Sequence, residues 1–179
     1  SAAEEVKKRI TDLLRKDEEV VKRASEAVER LLEDDKRVVE DVRREIEEIL
    51  RTLEKVTREG KDKKAIRTIV RDLERVIRRV LEASARTVKR IEDLIEKLLR
   101  ESRETVDELR RVLEEAAREG SIDKDDVKRA EDEVRKSHKK VEDDLRRLKE
   151  EVERSLKDTE DKARRAKEEV ERLLRESER

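Results

Sequence analysis

The sequence predicts an all-α fold, a single-chain antiparallel up-down-up three-helix bundle, on three observations. Its 179 residues contain no proline and only two glycines, and Gly60 and Gly120 cut the chain almost into thirds. Within each third, aliphatic residues recur at helical spacing and leave the other positions to Lys, Arg, Glu and Asp. Charged residues make up 58% of the chain, far above the roughly 25% of an ordinary domain, yet 51 basic residues nearly cancel 52 acidic ones. Disorder by composition needs high net charge as well as low hydrophobicity, so this balance suits helix surfaces instead. Residues 1–179 read as one domain.

Helix 1 is expected over about residues 2–59. Ser1 with Glu4 forms a capping box at its start, and Gly60 follows its end. Glycine favours that place because it enters the left-handed region without a Cβ penalty. Helix 2, about 63–119, starts behind Asp62 as N-cap and stops at Gly120. Helix 3, about 124–177, starts behind Asp123, with Ile122 and Val127 placed as a hydrophobic staple. Each helix would be roughly 84 Å long at 1.5 Å per residue.

An 18-residue repeat runs through all three. On helix 1, Val6, Ala24 and Val42 coincide, as do Ile10, Val28 and Ile46, and Leu14, Leu32 and Leu50. Helix 2 repeats Val70, Val88 and Val106, and helix 3 repeats Val134, Val152 and Val170. Eighteen residues are five turns at 3.6 per turn, so no heptad supercoil is imposed and nearly straight helices are expected. The apolar arcs span about 120°, 140° and 100° on helices 1, 2 and 3, enough for each to touch two neighbours. Counting Val, Ile and Leu gives 17 on residues 1–60, 18 on 61–120 and 11 on 121–179. Helix 3 is therefore expected to be the least firmly held, covering the hairpin of the other two.

Composition also excludes chemistry. Without cysteine there is no disulfide, thiolate nucleophile or Cys-based zinc site. No apolar run approaches the ~18 residues of a membrane span, and no targeting signal is visible, so localisation stays open. Aromatic residues are absent, and the thirds carry net charges of −3, +3 and −1, so neither a basic face nor a stacking platform points to nucleic acid.

The exact 18-residue layering, the Lys/Arg/Glu/Asp surface, the aliphatic core and the single-glycine loops resemble a parametrically designed de novo helical bundle. The resemblance covers the whole chain. It implies high stability and no evolved activity, and buried hydrogen-bond networks of the kind installed for specificity.

One register position breaks the aliphatic rule. The centre of the helix 1 arc reads Asp17, Asp35 and Leu53; helix 2 reads Ile66, Ser84 and Ser102 with Ile69, Thr87 and Thr105 beside them. On helix 3 one edge reads Ser137, Ser155 and Leu173, and the other His138, Leu156 and Leu174. Reflection about the loops sets Asp17 level with Ser102, Thr105, Ser137 and His138, and Asp35 level with Ser84, Thr87 and Ser155. Leu53 falls level with Ile66, Ile69 and Leu173. Two structural polar layers and one apolar layer follow. Aspartate accepts only, while Ser, Thr and His donate, so each layer carries donors for its carboxylate. A loose seam would instead leave Asp17 and Asp35 facing water.

Asp17, His138 and a serine, Ser102 or Ser137, spell the letters of a hydrolase triad, but a bundle core offers no cleft, oxyanion hole or exposed nucleophile. Bundle di-iron sites use Glu-x-x-His, and Arg135 stands where that Glu would precede His138. Acidic residues Asp123, Asp125 and Asp126 lack the spacing of a calcium loop. No catalytic residue, metal site or cofactor is expected, and the chain is not expected to be an enzyme. Two function classes remain: a structural scaffold, monomeric and requiring no partner, or an interaction module that receives or releases a helix.

Overall fold

The computed structural model describes residues 2–60 and 62–177; the expected Ser1 capping box lies outside them. Three helices account for nearly all of it: α1 (Ala2–Glu59), α2 (Lys63–Arg118) and α3 (Lys124–Ser177). Their limits fall within a residue of the expected ones. None of the described helices is long and apolar enough to cross a membrane.

The helix ends follow from local chemistry. Asp62 caps α2: its Oδ1 accepts from the backbone N–H of Lys64 at 3.1 Å and of Ala65 at 3.3 Å. At the end of α2, Gly120 N–H reaches the Ala117 carbonyl at 3.2 Å and Ser121 N–H reaches Ala116 at 3.0 Å. That pair of bonds is a Schellman closure, and Gly120 sits at φ 71° to make it. Asp123 accepts the first helical bond of α3 through its carbonyl, from Val127 N–H at 3.0 Å, with Val127 buried and Ile122 half-buried beside it.

Gly60 departs from expectation. Its φ is not positive, and its N–H simply continues the helical ladder to the Val56 carbonyl at 3.1 Å. The two glycines should therefore respond oppositely to alanine. A Cβ at either meets nothing within 4 Å, so the backbone alone decides. Gly60→Ala should stabilise by about 0.4–1 kcal/mol, through a less flexible unfolded chain. Gly120→Ala should destabilise by about 1–2 kcal/mol, the cost of a left-handed L-residue. Urea midpoints moving the same way in both variants would contradict this.

The chain divides into two compact units, Ser1–Glu29 with Ile91–Glu151, and Arg30–Arg90 with Val152–Arg179. Each takes one stretch of every helix and is by itself an antiparallel three-helix bundle. In the first unit Arg9 pairs with Glu108, Asp17 with Ser102 and Arg23 with Glu101, so numbers fall on α2 as they rise on α1. In the second, Asp35 meets Ser84 and Glu45 meets Arg79, in the same sense.

Within each unit the core is centred on α2. In the first unit, α2 supplies eight buried apolar residues and α1 and α3 four each; in the second, α2 supplies five, α1 two and α3 three. Leu109 and Val106 pack with Leu13 and Val134 in the first unit. Val70, Leu73 and Ile77 pack with Leu53 and Val170 in the second, where Ile66, Ile69 and Leu173 join the same cluster. The apolar level around Leu53 thus assembles as its register indicated. Each buried Leu or Ile adds on the order of 1.5–3 kcal/mol of gross stabilisation.

The solvent faces carry ion pairs such as Arg58–Glu54 and Lys162–Asp158, one turn apart on a helix. Such exposed pairs are worth only ~0.3–0.5 kcal/mol each. The aliphatic core carries the fold.

Candidate functional site: two buried polar layers

Asp17 stands on the centre line of the α1 apolar face, so helical geometry alone turns it inward, and it is 2% exposed. Ser102, on the matching line of α2, is fully buried and donates its hydroxyl proton to Asp17 Oδ1 at 2.7 Å. The same Oγ lies 2.9 Å from His138 Nδ1 on α3, and His138 Nε2 lies 3.2 Å from Glu142 Oε1. A hydroxyl has one proton. With Ser102 donating to Asp17, its oxygen is left to accept from Nδ1–H of His138. Burial pushes the Asp17 carboxyl above the usual carboxylate range, and Glu18 adds to that; the Ser102 hydrogen bond and the His138 charge pull the other way.

The second layer is looser. Asp35 is 6% exposed, and both Ser84 Oγ and Thr87 Oγ1 approach its Oδ1 at 3.4 Å. Thr87 has a shorter acceptor, the Ala83 carbonyl at 3.1 Å, so its single proton is contested. Burial raises the Asp35 carboxyl too, against the opposing pull of Thr87 and Ser84.

Three expected members do not reach their carboxylates. Thr105 is buried at the Asp17 level, but its hydroxyl bonds back to the Glu101 carbonyl at 3.0 Å, the ordinary helical habit of threonine. Ser137 is half-buried and makes no hydrogen bond to Asp17. Ser155 is exposed, whereas the adjacent Leu156 is 4% exposed. The α3 edge that turns inward is the one carrying His138 and Leu156; the edge carrying Ser137 and Ser155 turns away from α2. Glu142, one turn after His138, was missed. The signal for it was the i, i+4 spacing of His and Glu on one helix face.

The geometry differs from a catalytic triad in order as well as access. Ser102 lies between the carboxylate and the imidazole, so Asp17 does not orient His138, and a fully buried hydroxyl presents no face to a substrate. Among the described residues no cluster of three or more His, Cys, Asp or Glu could hold a metal ion.

Each unit is built as a three-helix bundle. Among solved structures the chain is similar to one described as a computationally designed three helix bundle, at 16% identity over 99% of this chain and 89% of that one, with a TM-score of 0.48. No protein-family model matches the chain, and no curated protein does.

The raised carboxyls give a pH dependence of definite sign. A carboxyl whose folded pKa lies above its unfolded value favours folding when protonated; that contribution is present below the ordinary 3.8 and is lost as pH rises through the raised value. At neutral pH Asp17 is thus a destabilising residue whose penalty acid removes. Asp17→Asn should be the more stable protein at pH 7, and the gap should narrow as pH falls toward 3. Paired urea titrations of the two proteins check this, since the many surface carboxylates cancel in the difference. A gap that widens in acid would show the carboxylate to be favourably paired.

Proposed function

We propose that this chain is a designed structural scaffold whose buried carboxylate layers select one pairing and register of its helices. The observation that carries the reading is the Asp17–Ser102–His138 chain, which draws one polar group from each helix to a single level. A repeating aliphatic core has a weakness: sliding one helix by a repeat leaves most apolar contacts intact. The two buried carboxylates remove that freedom, because a one-repeat slide that brings Asp17 to Ser84 strands Asp35 against Ile66 and Ile69, at a cost of several kcal/mol. The layers therefore act against alternative packings rather than for stability, as a buried Asn does in a coiled coil. The Asp35 layer adds the same device more weakly, and the all-apolar level around Leu53 supplies adhesion without selection.

The test is to make both layers apolar, with Asp17→Leu, Ser102→Ala, His138→Leu, Asp35→Leu and Ser84→Ala in one chain. Unfolding in guanidinium should show equal or greater stability. Amide NMR should then show more than one set of signals, or light scattering more than one species. A variant that remains one sharp, monodisperse conformer would overturn a selective role for the layers.

A further inference from the structure

We infer that the α1–α3 seam of the first unit is a docking groove for one further amphipathic helix, aliphatic on its inner face, with an acidic edge toward α1 and a basic edge toward α3. The inference is independent of the role of the polar layers and rests on four features of the seam.

The first is an imbalance that composition does not explain. In this unit α1 carries seven Val, Ile and Leu and buries three of them, while α2 carries nine and buries seven. Part of the shortfall lies on one edge of α1. The ion pairs Arg9–Glu108 and Arg23–Glu101 mark the edge facing α2. Ile10, Leu14 and Val21, on the α1 arc away from those arginines, are only half-buried.

The second feature is the cleft itself. About 510 Å³ of open space lies between Ile10 and Leu14 of α1 and Ala130 of α3, with Leu113 and Ile122 at its base. Alanine at position 130 leaves room where Leu148, one repeat on, would fill it.

Third, the rims carry opposite charge and do not meet. Lys7 stands on the α1 side, and on the α3 side Asp123, Asp126 and Glu133 outweigh Arg129; Lys7, Asp126 and Glu133 are exposed and none of them forms an ion pair. Two rims of opposite sign that fail to pair across a groove fit an occupant that presents the complementary charge to each.

Fourth, Ser137 stands on this same edge of α3, at the level of Asp17, and bonds to neither Asp17 nor His138. The second unit, taken by itself, shows the same signs: Ser155 is exposed on that edge of α3, and Leu50, one repeat after Leu32 on that edge of α1, is 42% exposed. A serine kept in the 18-residue repeat but turned from the α2 interface is explained by a polar partner on another helix.

The probe is a dye-labelled peptide of about 28 residues, the length of α1 in this unit, with leucines on one helical stripe, Glu along one edge, Lys along the other and one Asn in the stripe. Its binding to the full chain is read by fluorescence anisotropy, beside the same titration of Ala130→Lys and Leu14→Lys. Both substitutions fall at positions that are not fully buried, and circular dichroism verifies that each variant keeps its helices. Saturable one-to-one binding to the parent, weakened about tenfold or more by either lysine, is the expected result. Equal binding to parent and variants would overturn the groove. Sedimentation of the chain alone separates the remaining case: a dimer broken by Ala130→Lys would mean that a second copy occupies the seam, and the single-helix reading would be wrong.

Discussion

Replacing Ser102 by Ala and His138 by Leu together should cost about 3–5 kcal/mol, the range for leaving one partner of a buried polar pair without the other. The cost arises because Asp17 is 2% exposed and takes its hydrogen bond from Ser102, whose oxygen in turn contacts His138 Nδ1. Truncating them leaves a carboxylate in hydrocarbon, which must protonate or draw in water. His138 retains 19% side-chain exposure, so water can approach from the α3 side, and the lower end of the range is expected. Adding Asp17→Leu should recover most of the loss, since a wholly apolar level already packs around Leu53 in the second unit. Guanidinium unfolding of parent, double and triple variants, followed by circular dichroism, measures both steps. If the double variant loses under about 1 kcal/mol, the hydrogen-bonded chain is not what holds Asp17.

Leu109→Ala should destabilise by about 2–5 kcal/mol, whereas Leu50→Ala should cost well under about 1.5 kcal/mol. The two side chains are chemically identical. Leu109 is 1% exposed and shares its cluster with Leu13, Val106 and Val134, so truncation leaves a cavity walled by three helices. Leu50 is 42% exposed, and water fills the space it vacates. Similar losses would mean that α1 buries its outer edge more deeply than the structure has it.

The three helices, their ends within a residue and two of their caps were legible in the sequence, because each is set by local chemistry. Asp62 caps α2 with its own carboxylate, and Gly120 closes α2 by a left-handed turn that few other residues adopt. Level was legible too. An 18-residue repeat between short turns leaves one reflection available, and it brought Asp17 to Ser102 and His138, Asp35 to Ser84 and Thr87, and Leu53 to Ile66. Helix 3 was expected to be the least firmly held, yet α3 buries as many apolar residues as α1 in the first unit and one more in the second; α1 has the composition of α2 without its burial.

What the sequence by itself determined is the periodic part: helix length, the apolar arc, and the height of each polar residue along its helix. Those follow from 3.6 residues per turn and from the turn residues, and need no knowledge of neighbours. Tertiary structure alone decided which edge of an arc meets which helix. Ser137 and His138 are adjacent and both border the α3 arc, yet only His138 turns toward Ser102, because α2 lies on that side. Thr105 was at the right height but spent its proton on its own backbone, and Ser155 was at the right height on the wrong edge. A hydrogen bond depends on direction to within tens of degrees, whereas a hydrophobic contact depends mainly on being inside. Periodicity therefore located the core, and only packing chose the partners.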